Sequence, residues 1–386
     1  MNRTIAYLDN AATSNPKPPA VWQAMQHYMT NVCASPGRGG YSLSLDAGRI
    51  EYHAREGIQA LFHAPSEEQV VFTLNVTHAL NCAMRGLLSA GDHVLTSSME
   101  HNSVIRPLRL MQERVGIDVT VVGCDSRGLL DPDDMRKALR PNTKMIILTH
   151  ASNVAGSILP IEAVSGIAHD ANAYFVVDTA QTAGFLDIDF AQLNPDVLAF
   201  TGHKSLLGPP GTGGFIVNTK TAERFAPMVA GGTGSKSDDE HQPSFLPDKF
   251  EAGTPNTVGI AGLAAGVAFV METGIKTIRA HEMSLAGQFI DGVKAIPKIR
   301  VYGPEDMARR VATVSITMAD LDLAEIAYRL DVEYGIMVRS GLHCSPLAHK
   351  TIGTFPEGAL RFSFGWFNTK ADVARAVDAL SRLAAA

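Results

Sequence analysis

Lys204 lies in the string Phe200-Thr201-Gly202-His203-Lys204, directly after an apolar run that begins at Val197. Upstream, a second apolar run over 174–177 ends in Asp178, with Gln181 shortly after it. A lysine and an acid, each at the end of a buried strand, are what pyridoxal phosphate (PLP) requires. The lysine forms a Schiff base, and the carboxylate keeps the pyridine nitrogen protonated so that the ring accepts electrons. The pair points to amino-acid chemistry.

Other polar residues stand at the ends of further apolar runs. Asn75-Val76-Thr77-His78 follows one, Glu100-His101-Asn102 another, and Ser152-Asn153 a third. Alone, each reads as a turn or a cap. In an open α/β sheet, however, ligands bind beyond the carboxyl ends of the strands, so five such ends converge on one rim. Val76 and Thr77 would open a helix whose free N–H groups bind a phosphate dianion. The Thr77 hydroxyl and the His203 imidazole add donors there, and Thr201 belongs to the same string. His101 is placed to stack on the pyridine and move protons. Asn153 and Gln181 are placed to bond the phenolic oxygen.

A second cluster is Arg339-Ser340-Gly341-Leu342-His343-Cys344. A thiol becomes a nucleophile when its pKa falls or a base stands near, and Arg339 and His343 are candidate sources. Gly341 and Pro346 favour an exposed loop for Cys344. Cys33, Cys82 and Cys124 read as structural. Arg361 sits in an alternating strand pattern and needs an anionic partner: a substrate α-carboxylate or a protein carboxylate.

These residues demand a frame. Strands are expected over 69–73, 93–97, 119–122, 145–149, 174–178, 197–201 and 214–217, with helical patterns over 133–139 and 161–169. Near-continuous apolar strands separated by helices imply an α/β fold, with a mostly parallel seven-stranded sheet covered on both faces. The segment 231–257 changes character and reads as a mobile loop ending at a domain boundary. Residues 15–257 would form a large domain; 1–14 and 258–386 would form a smaller α+β domain carrying the Cys344 loop. Gly208 to Gly214 resembles a nucleotide-binding loop, but Gly214 and Phe215 stand where the lysine and Ser/Thr should be.

Composition excludes several classes. The 386 residues are 46% hydrophobic and carry a net charge of −6, with no basic block for nucleic acid. The apolar stretch 258–271 is short for a membrane span and reads as a buried helix, with Gly262 and Gly266 marking close packing. The four cysteines form no C-x-x-C pair, so neither a metal site nor a disulfide framework is expected. With no secretory leader apparent, a reducing cytoplasmic setting is expected.

The chain resembles the fold-type I, class V aminotransferase-like enzymes, in their cysteine desulfurase and selenocysteine lyase group. Carriers of the resemblance are Tyr7-Leu8-Asp9-Asn10-Ala11-Ala12, Met99-Glu100-His101-Asn102, Val177-Asp178-Thr179-Ala180-Gln181, Thr201-Gly202-His203-Lys204, Glu251-Ala252-Gly253-Thr254-Pro255-Asn256 and the Cys344 segment. The Arg-x-Gly-x-His-Cys pattern is similar to the SufS-like branch. The resemblance implies a homodimer in which Thr254 reaches the phosphate of the other subunit. It makes Arg339 an active-site arginine and gives the substrate carboxylate to Arg361. Two departures touch the substrate side. In Arg38-Gly39-Gly40-Tyr41, Tyr41 replaces a histidine, and Leu342 stands where relatives often carry a second one.

The implied reaction takes L-cysteine to L-alanine, with Lys204 moving protons and Cys344 receiving the sulfur as a persulfide for a sulfur-acceptor protein. A selenocysteine lyase acting on L-selenocysteine needs the same residues. A class V transaminase would leave Cys344 incidental. A non-catalytic PLP-binding module would be expected to lack Lys204 or Asp178.

Overall fold

The structure is a computed structural model and describes residues 5–37 and 39–385. Arg38, part of the segment that departs from the family pattern, lies outside the described residues. In chain order the strands are β1 (Ala6–Tyr7), β2 (Val70–Thr73), β3 (His93–Ser97), β4 (Asp118–Val122), β5 (Thr143–Thr149), β6 (Tyr174–Asp178), β7 (Val197–Thr201), β8 (Gly213–Val217), β9 (Ile299–Val301), β10 (Thr313–Met318), β11 (Ile336–Met337), β12 (Arg339–Gly341) and β13 (Ala359–Ser363). Helices α1 (Pro19–His27), α2 (Ser42–Leu61), α3 (Val76–Leu87) and α4 (Asn102–Arg114) precede or follow the first of them.

The seven expected strands, β2 to β8, form one sheet in the order β2-β8-β7-β6-β5-β3-β4. From β7 to β4 every pairing is parallel. β8 runs antiparallel to both β7 and β2. The cause is local: residues 202–212 contain no helix and are too few for the crossover of a dozen or more residues, usually helical, that a parallel return takes. The glycine-rich string before β8 therefore closes a hairpin, as its poor match to a nucleotide loop implies.

Alternation along each strand splits the apolar residues between two cores. Val71, Val94, Ile147 and Val176 face one layer with α3 and α4. Phe72, Leu95, Leu148 and Val177 face the other. A four-stranded antiparallel sheet, β12-β13-β10-β9, lies in the C-terminal part, and β1 pairs with β11 in parallel. This pairing ties the first described residues to the segment that carries Cys344.

The expected buried helix spans Thr257–Thr273. A Cβ on Gly262 would stand 2.8 Å from Met25 of α1, and one on Gly266 would stand 2.5 Å from the carbonyl of Leu206. The glycine spacing is thus close packing inside the fold. Among the described residues, no single helix is long and apolar enough to cross a membrane.

Segment 231–257 is pinned near its end. Both oxygens of Glu251 receive Arg55 of α2, at 2.8 and 2.5 Å, and one also accepts the Phe72 N–H at 2.6 Å. The Arg55 guanidinium lies 4.5 Å over the Phe72 ring. Because both partners are largely buried, removing one strands the other charge. Arg55→Ala is expected to cost about 3–5 kcal/mol of stability, measured by urea unfolding. A loss below about 1 kcal/mol would mean that solvent reaches the pair and screens it.

Candidate active site

The carboxyl ends of β2, β3, β5, β6 and β7 meet at one rim around a cleft of about 300 Å³. Val76, Thr77, His101, Asn153, Asp178, Gln181, Thr201, His203, Lys204, Arg339 and Arg361 all line it. No group of three or more potential metal ligands is present among the described residues.

At one end, α3 begins at Val76. The Asn75 side chain caps it by accepting the His78 N–H at 3.0 Å. A side chain at Gly213 would crowd this turn, since a Cβ there would lie 2.7 Å from Asn75 Cα. The Thr77 hydroxyl bonds Ser103 Oγ at 2.7 Å, and Ser103 Oγ in turn bonds His101 Nδ1 at 2.7 Å. The Ser103 backbone N–H also donates to Nδ1, at 3.0 Å. Burial, then the Lys204 charge, push the His101 pKa down to about 4. The ring is neutral near pH 7. A backbone N–H can only donate, so Nδ1 is the acceptor and the ring proton sits on Nε2. His203 is likewise held neutral, its pKa lowered to about 4 by burial and then by Lys204.

At the other end, Asp178 accepts the Ala180 N–H at 2.8 Å. Burial raises its pKa, and the Ala180 N–H and Lys204 oppose that rise. Burial also lowers Lys204, to about 8, although Asp178 pulls the other way. The backbone around Lys204 is clamped by the N-terminal segment. The His203 carbonyl accepts Ser14 N–H and Thr13 hydroxyl at 3.0 Å and Lys17 Nζ at 2.7 Å. Ser14 Oγ donates to the Lys204 carbonyl at 2.8 Å. Gln181 sends its amide N–H to the Ala11 carbonyl at 3.1 Å. Beneath the cleft, buried Glu100 joins the ends of β3 and β5. It accepts the Ser97 hydroxyl at 2.6 Å and the Thr149 N–H at 2.9 Å, and burial raises its pKa to about 8.

Arg361, 1% exposed, donates to Asp9 at 2.6 Å and to the Asn153 carbonyl at 3.2 Å, while its Nε has no partner. The protein carboxylate weighed above is therefore present, yet one guanidinium nitrogen is left without a partner. Cys344 is exposed, with Arg339 Nη2 3.8 Å from its sulfur.

Several expectations need revision. His343 is no base for the thiol: its ring is buried, bonds the Arg339 carbonyl at 3.0 Å and faces His349 at 3.2 Å. The Asn153 amide holds the cysteine loop, donating to the His343 carbonyl and accepting from Ser345. Cys33 is exposed rather than core, whereas burial raises the thiols of Cys82 and Cys124 to about 12 and 11. Tyr41 and Thr254 lie outside the cleft of their own chain. Tyr41 is 56% exposed, and Thr254 lines a separate apolar pocket with Leu74, His78 and Met228. Sequence reasoning missed Ser103, Asp9 and Ser345, whose partners are distant in the chain or hidden by local patterns that read as caps.

The aminotransferase class-V family matches residues 6–376. A probable cysteine desulfurase of Methanothermobacter thermautotrophicus is 35% identical over 386 residues, covering 99% of this chain and 95% of that protein. A cysteine desulfurase of Klebsiella pneumoniae is 31% identical over 387 residues, covering 98% and 93%. Among solved structures, apo cysteine desulfurase from Thermococcus onnurineus superposes with a TM-score of 0.93 at 32% identity, covering 99% of this chain and 95% of that one. The Escherichia coli cysteine desulfurase CsdA gives 0.88 at 29%, covering 98% and 94%. With fold, motifs and near-full-length similarity agreeing, this chain belongs to the class-V aminotransferase family, among its cysteine desulfurases.

Proposed function

We propose that the chain is a PLP-dependent cysteine desulfurase that converts L-cysteine to L-alanine and keeps the sulfur as a persulfide on Cys344. One observation carries this reading: Lys204, Asp178 and Arg361 line a single cleft, and exposed Cys344 stands beside Arg339 on its edge.

The residues fit the cofactor. Thr201 Oγ1 is buried without a partner, next to His203 and near the first turn of α3. A phosphate there would satisfy that hydroxyl, together with the Val76 and Thr77 N–H groups. Asp178, buried and short of compensation, suits a cationic pyridine nitrogen. His101 presents a neutral ring, and Gln181 keeps its carbonyl end for the cleft. When bound, PLP supplies the electron sink for charge developing on the amino acid. A homodimer would bring Thr254 and Tyr41 toward the cleft of the second copy.

Arg361, which lines the cleft, binds the substrate carboxylate while Asp9 fixes the guanidinium. Lys204, with its pKa lowered by burial to about 8, holds the cofactor and moves the Cα proton. The Cys344 sulfur attacks the substrate sulfur. The S–S bond forms as the Cβ–S bond breaks, and Cβ keeps the electron pair and gains a proton. The substrate carbon is reduced and the sulfur oxidised to the sulfane level, so no outside oxidant is needed. An acceptor protein or thiol later removes that sulfur. Four unpaired cysteines suit a cytoplasmic setting.

The test is an absorbance spectrum of purified protein with PLP, before and after L-cysteine, with alanine and sulfide assayed in the presence of reductant. A shifting visible band with stoichiometric alanine supports the reading; a band without alanine removes L-cysteine as the substrate.

The Lys204 amine also predicts a pH dependence. Only the neutral amine attacks an aldehyde, and its fraction rises as pH passes through about 8. PLP uptake by apoenzyme is expected to quicken about tenfold per pH unit below that point and level off above it. Stopped-flow absorbance measures this. Uptake that still climbs steeply above pH 9 would contradict a lowered lysine.

A further inference from the structure

Cys344 is presented by two consecutive residues in the left-handed region, His343 at φ 48° and Cys344 at φ 57°. Neither is glycine, so each holds a backbone conformation that L-residues disfavour. Such conformations persist only where the surroundings over-determine them.

The surroundings do so. Asn153 Nδ2 donates to the His343 carbonyl at 2.8 Å, and Ser345 Oγ donates to Asn153 Oδ1 at 2.7 Å. One amide thus grips the residues on both sides of the cysteine. Its orientation is unambiguous, because a carbonyl can only accept. The Asn102 N–H holds the Cys344 carbonyl at 2.8 Å from the start of α4. His343 donates through Nε2 to the Arg339 carbonyl, so its Nδ1 accepts from His349 Nε2, and His349 Nδ1 takes the Thr354 hydroxyl at 2.7 Å. Burial keeps both imidazoles neutral, with pKa values near 3 and 4.

Ser345 marks the purpose. It occupies the N-cap position of helix Pro346–Ile352, yet its hydroxyl makes no cap bond. The stabilisation of a capping bond is forgone. The fully buried hydroxyl serves Asn153 instead. The backbone carbonyl of that same Asn153 accepts from Arg361.

We propose that Ser345 is a positioning residue: through Asn153 it locks the Cys344 loop at a fixed place relative to the substrate-carboxylate arginine. This rests on the reading of Cys344 as the sulfur acceptor. The carboxylate site and the nucleophile share one support, so the attack distance is set by the fold.

Ser345→Ala in the PLP-loaded enzyme tests it. The expected result is a fall of at least about tenfold in kcat for alanine formation, as a loosened near-attack geometry implies. KM and the absorbance change on adding L-cysteine should stay within about twofold, and Ser345→Thr should restore the rate. Iodoacetamide labelling of Cys344, located by peptide mapping, should change severalfold in rate in the alanine variant and not in the threonine one. Should S345A not fold, S345G, tolerated at an N-cap, is read in the same way. Unchanged kcat and unchanged labelling would overturn the proposal; so would parallel losses in kcat, KM and melting temperature with no rescue by threonine. A wild-type enzyme that forms no alanine would sink the desulfurase reading instead, while labelling would still judge the clamp.

Discussion

Lys204→Ala is expected to lower alanine formation from L-cysteine by about 10²–10⁴-fold, the loss that follows removal of a positioned proton-transfer group. The structure isolates the effect. Lys204 lines the cleft, its backbone is clamped by Ser14 and neighbouring N-terminal donors, and no other lysine among the described residues lines the cavity. The phosphate end, built from α3, Thr201 and His203, is untouched by the change. The variant should therefore still bind PLP, but borohydride should no longer fix it to the protein. Covalent fixation in the variant would mean that another amine serves. Loss of PLP binding altogether would mean that the cofactor end was misassigned.

Cys344→Ala is the second large effect. Desulfuration should fall about 10²–10³-fold, because a thiol from solution replaces a nucleophile held in place. The fold should survive, since the side chain is exposed and its removal leaves no cavity. L-Selenocysteine gives the contrast, because selenium can leave without a protein thiol. Undiminished activity on both substrates would make Cys344 incidental. Accumulation of pyridoxamine phosphate in the wild type would point to a transaminase.

Much of the frame was legible because the inner strands of the central sheet are buried on both faces and bounded by turns. Val197 to Thr201 and Tyr174 to Asp178 were readable to the residue, and so Asp178 and Lys204 fell into one cleft. Strand β8 was readable as a strand but not as antiparallel, since direction depends on the missing crossover helix after Lys204. Side-chain partners were the illegible part. Asp9 meets Arg361 across almost the whole chain, and Asn153 meets Ser345 across two separate segments. His343 carried the right type for a base, but its carbonyl partner at Arg339 and its neighbour His349 turn it inward. Residue type and spacing along the chain specify what a side chain is able to do; pairings brought together by the fold decide what it is free to do.

The central claim is that sulfur passes from the substrate to Cys344. The most direct test incubates the PLP-loaded protein with L-cysteine without reductant, then measures peptide masses and alanine. The account predicts one added sulfur on the peptide containing Cys344, removed by reductant, with one alanine formed for each sulfur bound in the first turnover. Alanine formed with no added sulfur on that peptide, or sulfur carried on Cys33 or Cys124 instead, would contradict it.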